Sequence, residues 1–91
     1  MKIVERENER HPTERRYDAG RMVFSLRRRA NGRWQLARDR QLSWSGPHDI
    51  TLLNMPPSVE GWPAAEKLAF PAMEQYVREE RRRKRGNLIQ A

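Results

Sequence analysis

Between residues 21 and 45 the large apolar side chains fall on every second position. Met22, Phe24, Leu26, Trp34, Leu36, Leu42 and Trp44 are all even-numbered, and Val23 is the one large exception. A period of two belongs to strands with one buried face, because successive side chains of a strand point to opposite sides of a sheet. Asn31-Gly32 interrupts the alternation where a hairpin turn belongs, since both residues tolerate positive φ. The alternation also fixes the loop length. A two-residue loop at Asn31-Gly32 sets Arg29 opposite Trp34 and leaves Phe24 and Leu26 on the wrong side. A three-residue loop, Ala30-Asn31-Gly32 with Gly32 left-handed, sets Leu26 opposite Leu36 and Arg28 opposite Trp34, so the apolar faces coincide. Strands are therefore expected over about 21–29 and 33–38, joined by a type I turn and a bulge. After an Arg38-Asp39-Arg40 turn, a third strand is expected over about 41–45, one long bent strand from 33 to 45 being the alternative.

Ser45-Gly46-Pro47 is a strong breaker, and 50–54 is the candidate fourth strand before Pro56-Pro57 ends it. From Trp62 the period changes. Leu68, Ala69, Ala72, Met73, Tyr76 and Val77 recur at helical spacing and predict one apolar stripe on a C-terminal helix over about 63–85. Pro63 suits a first helical turn. Pro71 removes an interior hydrogen bond and crowds the preceding turn, so a kink or a fresh start is expected there. Gly86-Asn87 reads as the stop. The expected fold is α+β: a small antiparallel sheet of three to four strands packed against one helix.

Residues 1–20 alternate charges of both signs and offer only Ile3, Val4 and Tyr17 for burial. They read as a flexible or loosely docked arm, with an edge strand at 2–4 as the alternative. The single compact domain is then 21–86 and the tail 87–91. Ninety-one residues allow one small core. The absence of cysteine removes disulfides, thiolate metal sites and cysteine nucleophiles together. No stretch approaches the roughly 20 apolar residues a membrane span requires, and residues 1–20 lack the apolar centre of a signal peptide. A cytoplasmic protein without a membrane partner is the expectation.

Charge is sorted along the chain. Residues 1–20 hold five basic and five acidic side chains, 21–40 hold seven basic against Asp39, 41–77 hold Lys67 against four acids, and 78–85 hold six basic against two. Sixteen of the nineteen cations are arginine, whose planar fork suits phosphate and carboxylate better than a lysine ammonium does. In the three-residue register Arg27, Arg29 and Arg33 project from the solvent face of the hairpin, close to Gln35. Guanidinium groups gathered in this way call for something negative over them. The basic run Arg81, Arg82, Arg83, Lys84 and Arg85 is the second candidate, each phosphate it neutralises adding salt dependence to an affinity. Arg38 and Arg40 lie nearer the core rim, where Asp39 or Asp49 would pair with them.

The remaining chemistry is sparse. Trp34 and Trp44 share parity with the core residues, which favours packing over base stacking, and Trp62 is placed to staple the helix start. His11 and His48 have no partner at metal-ligand spacing, and His48-Asp49 fits a turn better than a catalytic pair. Neither an enzyme nor a cofactor is expected. The leading expectation is a non-enzymatic nucleic-acid-binding module. The alternative is an accessory or inhibitor protein of phage or mobile-element type that docks through an acidic protein surface on a larger host complex. The strand-strand-strand-helix order with its basic hairpin resembles the small DNA-binding arms of phage-type integrases, in which a sheet enters the major groove and a helix supports it from behind. That resemblance implies that Arg27, Arg29, Arg33 and Gln35 face bases and phosphates.

Overall fold

Leu26 lies opposite Leu36, and Arg28 opposite Trp34, in the computed structural model of the chain. The structure describes residues 2–39, 41–42, 46–47 and 49–90, and for 41–42, 46–47 and 84–90 it describes the backbone alone. The strands of this hairpin are Met22–Arg28 and Trp34–Asp39. Gly32 takes φ +82°, its N–H donates to the Arg29 carbonyl at 2.8 Å, and the Arg29 N–H donates to the Arg33 carbonyl at 2.8 Å. This is the three-residue loop that the alternation requires, with glycine at the position where a side chain would strain the backbone.

In chain order the elements are β1 (Val4–Glu5), a single 3-10 turn (Glu7–Glu9), β2 (Glu14–Ala19), β3 (Met22–Arg28), β4 (Trp34–Asp39), β5 (Gln41–Leu42), β6 (Gly46–Pro47), β7 (Ile50–Asn54) and α1 (Gly61–Gln90). Five strands form one open antiparallel sheet in the order β1-β2-β3-β4-β7, while β5 and β6 pair only with each other. The fold is therefore α+β, with one more strand in the main sheet than the upper expectation.

Three expectations change. Residues 4–19 supply two strands of the sheet rather than a loose arm. β2 pairs with β3 along its whole length, from Glu14 opposite Arg27 to Ala19 opposite Met22. Tyr17, fully buried, joins Phe24, Leu26 and Leu36 in the core. Burying that ring and pairing six residues of backbone outweighs the cost of ordering a charged strand. Gln41–Leu42 does not continue the main sheet: β7 takes the place beside β4, with a bulge between Leu36 and Ala37. Residues 43–45, including Trp44, lie outside the described residues. Finally, α1 is one continuous helix that runs through Pro71 and past Gly86-Asn87 to Gln90. Pro71 is on the exposed side, where its ring meets solvent rather than the sheet.

Ala65, Ala69, Met73 and Val77 are the buried helix positions, spaced four apart so that they form one row facing the sheet. Two of the four are alanines, which lets the helix lie close to the strands. Leu68, expected in this stripe, is 42% exposed. Aromatic edge-to-face contacts join the layers: Tyr17 with Phe70, Phe24 with Tyr76, and Trp34 with Trp62 at 4.6 Å between centroids. No helix among the described residues is long and apolar enough to cross a membrane.

Candidate nucleic-acid interface

Whether an arginine is available to a partner depends on what the neighbouring strand places opposite it. Arg27 stands opposite Glu14 in the β2–β3 register. Its Nη2 donates to Asp49 Oδ2 at 2.8 Å, and its Nε lies 3.4 Å from Glu14 Oε1, a charge contact without hydrogen-bond geometry. Arg16, on the same open face, is 3.6 Å from Glu14 and 3.8 Å from Asp39. Asp39 in turn accepts from the hydroxyl of fully buried Ser25 at 3.1 Å. The middle of the open face is thus a lattice of two guanidiniums and three carboxylates, and Arg27 is not the free cation that its parity suggests. The reason lies in β2, which brings Glu14 alongside.

Arg38 behaves differently again. It turns to the helix side, donating to Tyr76 Oη at 2.7 Å, with its guanidinium 5.3 Å from that ring centroid and 3.8 Å from Glu80. Arg15, also on the helix side, lies 4.2 Å over the Trp62 ring and 3.4 Å from Glu66. Glu66 also accepts from Tyr17 Oη at 2.8 Å, and burial together with this bond pushes the Tyr17 phenol well above its ordinary range.

At the hairpin tip the strands end, and no carboxylate among the described residues is paired with its arginines. Arg28, Arg29 and Arg33 are exposed, and none of them has an ion-pair partner among the described residues. Arg29 Nη1 donates to Gln35 Oε1 at 3.2 Å, and Gln35 Nε2 donates to Asn54 Oδ1 at 3.1 Å and to Thr51 Oγ1 at 3.4 Å. Arg29, Asn31, Arg33, Gln35 and Asn54 surround a cleft of about 350 Å³ whose apolar wall is Trp34 and Met55.

The second basic group lies elsewhere. Arg78, Arg81 and Arg82 are exposed and carry no ion pair among the described residues, whereas Arg83 is held by Glu80 at 3.0 Å. Arg78 and Arg81 line a groove of about 320 Å³ with Ile3, Glu74 and Val77. The side chains of Lys84 and Arg85 lie outside the described residues, as do Arg40 and His48. Trp62 packs on Trp34 at the hairpin-tip end, while Tyr76 packs on Phe24 and Arg38 at the other. The two basic groups therefore sit at opposite ends of the molecule, roughly 28 Å apart along a helix rising 1.5 Å per residue from Trp62 to Arg81.

Arg29, Arg33 and Gln35 are brought together, Arg27 is diverted, and Arg81 and Arg82 stand apart from them with Arg78, while Arg83 is tied to Glu80. Sequence parity missed Arg28, which stands opposite Trp34 yet is exposed, and Arg21. Arg21 occupies the second position of the two-residue turn between β2 and β3. That turn lies at the helix-arm end of the sheet, with Gly20 at φ 64°. A positive φ at the first turn position but not at Arg21, the second, fits a type II′ rather than a type I′ hairpin, a signal present in the Gly20-Arg21 dipeptide.

His11 accepts or donates only within its own turn, to Thr13 Oγ1 at 3.2 Å. Among the described residues no cluster of His, Cys, Asp and Glu is arranged to hold a metal ion. Compared with protein-family models, curated proteins and solved structures, the chain matches none.

Proposed function

We propose that the protein is a non-enzymatic binding module for nucleic acid, gripped at two separated ends by guanidinium groups. The observation that carries this reading is the segregation of available arginines. Those over the middle of the sheet are matched by carboxylates of their own chain, whereas Arg28, Arg29 and Arg33 at one end and Arg78, Arg81 and Arg82 at the other have no ion pair among the described residues. Like charges held that far apart across a balanced face suit a ligand whose negative charge repeats along its length. A phosphate backbone has that property, and arginine forks bind it bidentately. In this reading Lys84 and Arg85 extend the helix arm, and the protein acts in the cytoplasm.

The test is the salt dependence of binding to a mixed-sequence duplex and to the matching single strands, read by fluorescence anisotropy. Replacing Arg28, Arg29 and Arg33 together by Gln is expected to flatten the plot of log affinity against log salt by roughly 2–3 units, as the loss of three phosphate contacts would. The same change at Arg78, Arg81 and Arg82 has a similar effect. R27Q leaves the slope unaltered, because that side chain is already neutralised. Absence of binding to every nucleic acid at low salt sinks the proposal. A protein retained from lysate after nuclease digestion, and lost in the same triple variants, points instead to an acidic protein surface.

A further inference from the structure

The polar lining of the cleft at the hairpin tip is rich in donors. Asn31 Oδ1 accepts the main-chain N–H of Arg33 at 3.0 Å, Gln35 Oε1 accepts Arg29 at 3.2 Å, and Asn54 Oδ1 accepts Gln35 at 3.1 Å. Each side-chain amide oxygen around the cleft thereby accepts one hydrogen bond. Among the described residues the rest of the Arg29 fork, the whole Arg33 side chain, and the amide nitrogens of Asn31 and Asn54 have no side-chain partner. Among the described residues no carboxylate lines the cleft. A lining in which free donors outnumber free acceptors is complementary to a group that only accepts, and two guanidiniums beside it favour a doubly charged one.

We propose that this cleft binds a phosphate group, and in particular the terminal phosphomonoester of a nucleic-acid strand. A phosphomonoester carries close to two negative charges at neutral pH and three free acceptor oxygens. An internal phosphodiester carries one charge and two free oxygens, so it can touch both guanidiniums but neutralises only one of them. The shape agrees with the charge. Trp34 and Met55, 4% and 2% exposed, form the inner wall of the partly open cleft, whose volume of about 350 Å³, near the lower end of the usual ligand-pocket range, has room for one terminal phosphate. The inference rests on the nucleic-acid reading for everything beyond that first phosphate. The same chemistry also comes from a free mononucleotide or inorganic phosphate.

The experiment compares one oligonucleotide sequence with a 5′-phosphate, a 3′-phosphate or hydroxyl ends, together with a mononucleotide and inorganic phosphate, on the full chain. At least one phosphorylated end is expected to bind about tenfold more tightly than the hydroxyl-ended strand, as one additional charge-assisted contact set would produce. The double change R29Q/R33Q abolishes that preference and leaves the hydroxyl-ended strand bound through the helix arm. N54L weakens the preference without altering net charge. Equal affinity for all three ends overturns the terminal-phosphate site while leaving general nucleic-acid binding in place. A preference that survives R29Q/R33Q overturns it as well, since the discrimination then arises elsewhere. If no oligonucleotide binds but inorganic phosphate shifts the side-chain amide resonances of Asn31 and Asn54, the phosphate site stands and the nucleic-acid reading falls. A mononucleotide that binds as tightly as the phosphorylated strand identifies a small phosphorylated molecule as the ligand and overturns the strand-end assignment.

Discussion

Arg27 and Arg29 are two residues apart and share the parity of the open face, yet one is spent inside the protein and the other is not. The difference is Glu14 on β2 and Asp49 at the entry to β7, both within reach of Arg27. The same local logic governs the carboxylates. Burial pushes the Asp39 carboxyl up from its ordinary value, the Ser25 hydroxyl bond opposes this, and neighbouring Asp49 adds to it. A raised folded-state pKa contributes stability below the unfolded value, and this is lost as pH rises through the folded value. At neutral pH Asp39 is therefore ionised at a cost. Asp39→Asn keeps an acceptor for Ser25 and is expected to raise the urea midpoint at pH 7, with the gain vanishing near pH 3. An unchanged or lower midpoint at pH 7 refutes this. Asp18 has the opposite sign. The Arg6 fork, at 2.8 and 2.7 Å, holds its carboxyl below the usual range, so its contribution is present above the unfolded pKa and fades as pH falls through the lowered folded value.

At the scale of elements, the tightest layer contact is the row Ala65, Ala69, Met73 and Val77 against Tyr17, Phe24, Leu26 and Leu36. Met73 is the largest side chain in that row and is fully buried. Met73→Ala is expected to cost about 2–5 kcal/mol, the usual range when a large core side chain is truncated and the site closes only partly. Calorimetry or urea unfolding measures it, and a loss under 1 kcal/mol would show that the helix lies loosely on the sheet. The β3–β4 hairpin was legible residue by residue, since even-numbered burial and Asn31-Gly32 leave one register that buries both strands. β2 was hidden because only Tyr17 and Ala19 are apolar on its inner side. Arg15 fills the third inner position and is accommodated under Trp62 and beside Glu66. The alternation continues through Leu42, but parity describes one strand's faces and never its neighbour, so it could not reveal that β7 rather than Gln41–Leu42 borders β4. The candidate site inherits this limit. Which arginines remain free is decided by cross-strand carboxylates, and those depend on strand order. The composition of 78–85 announced a basic helix end. Nothing in it announced that this end and the hairpin tip lie at opposite poles.

Across the whole molecule, α1 outruns the sheet. Thirty helical residues span about 45 Å, the longest dimension is 45 Å, and Val77 is the last buried residue among the helix positions up to Arg83, whose side chains are described. The radius of gyration, 14.2 Å, exceeds the roughly 12 Å of a compact chain of this length, as a projecting helix requires. A partner must therefore be long enough to reach both poles before both contribute. At 3.4 Å per base pair, roughly 28 Å corresponds to about 8 base pairs of duplex. On the proposed nucleic-acid reading, shorter duplexes are expected to engage one pole at a time. Longer ones are expected to make the second contact intramolecular, so that affinity rises by orders of magnitude rather than in proportion to the number of binding frames. Measured on end-phosphorylated duplexes of 5 to 16 base pairs, the affinity of the protein is expected to climb steeply near 8–10 base pairs, the lower limit coming from the pole separation. Replacing Arg78, Arg81 and Arg82 by Gln removes the climb and leaves the shallow dependence of a single site. A smooth, proportional increase in the unaltered protein, or a step that persists in that variant, would mean that the two poles do not act on one ligand.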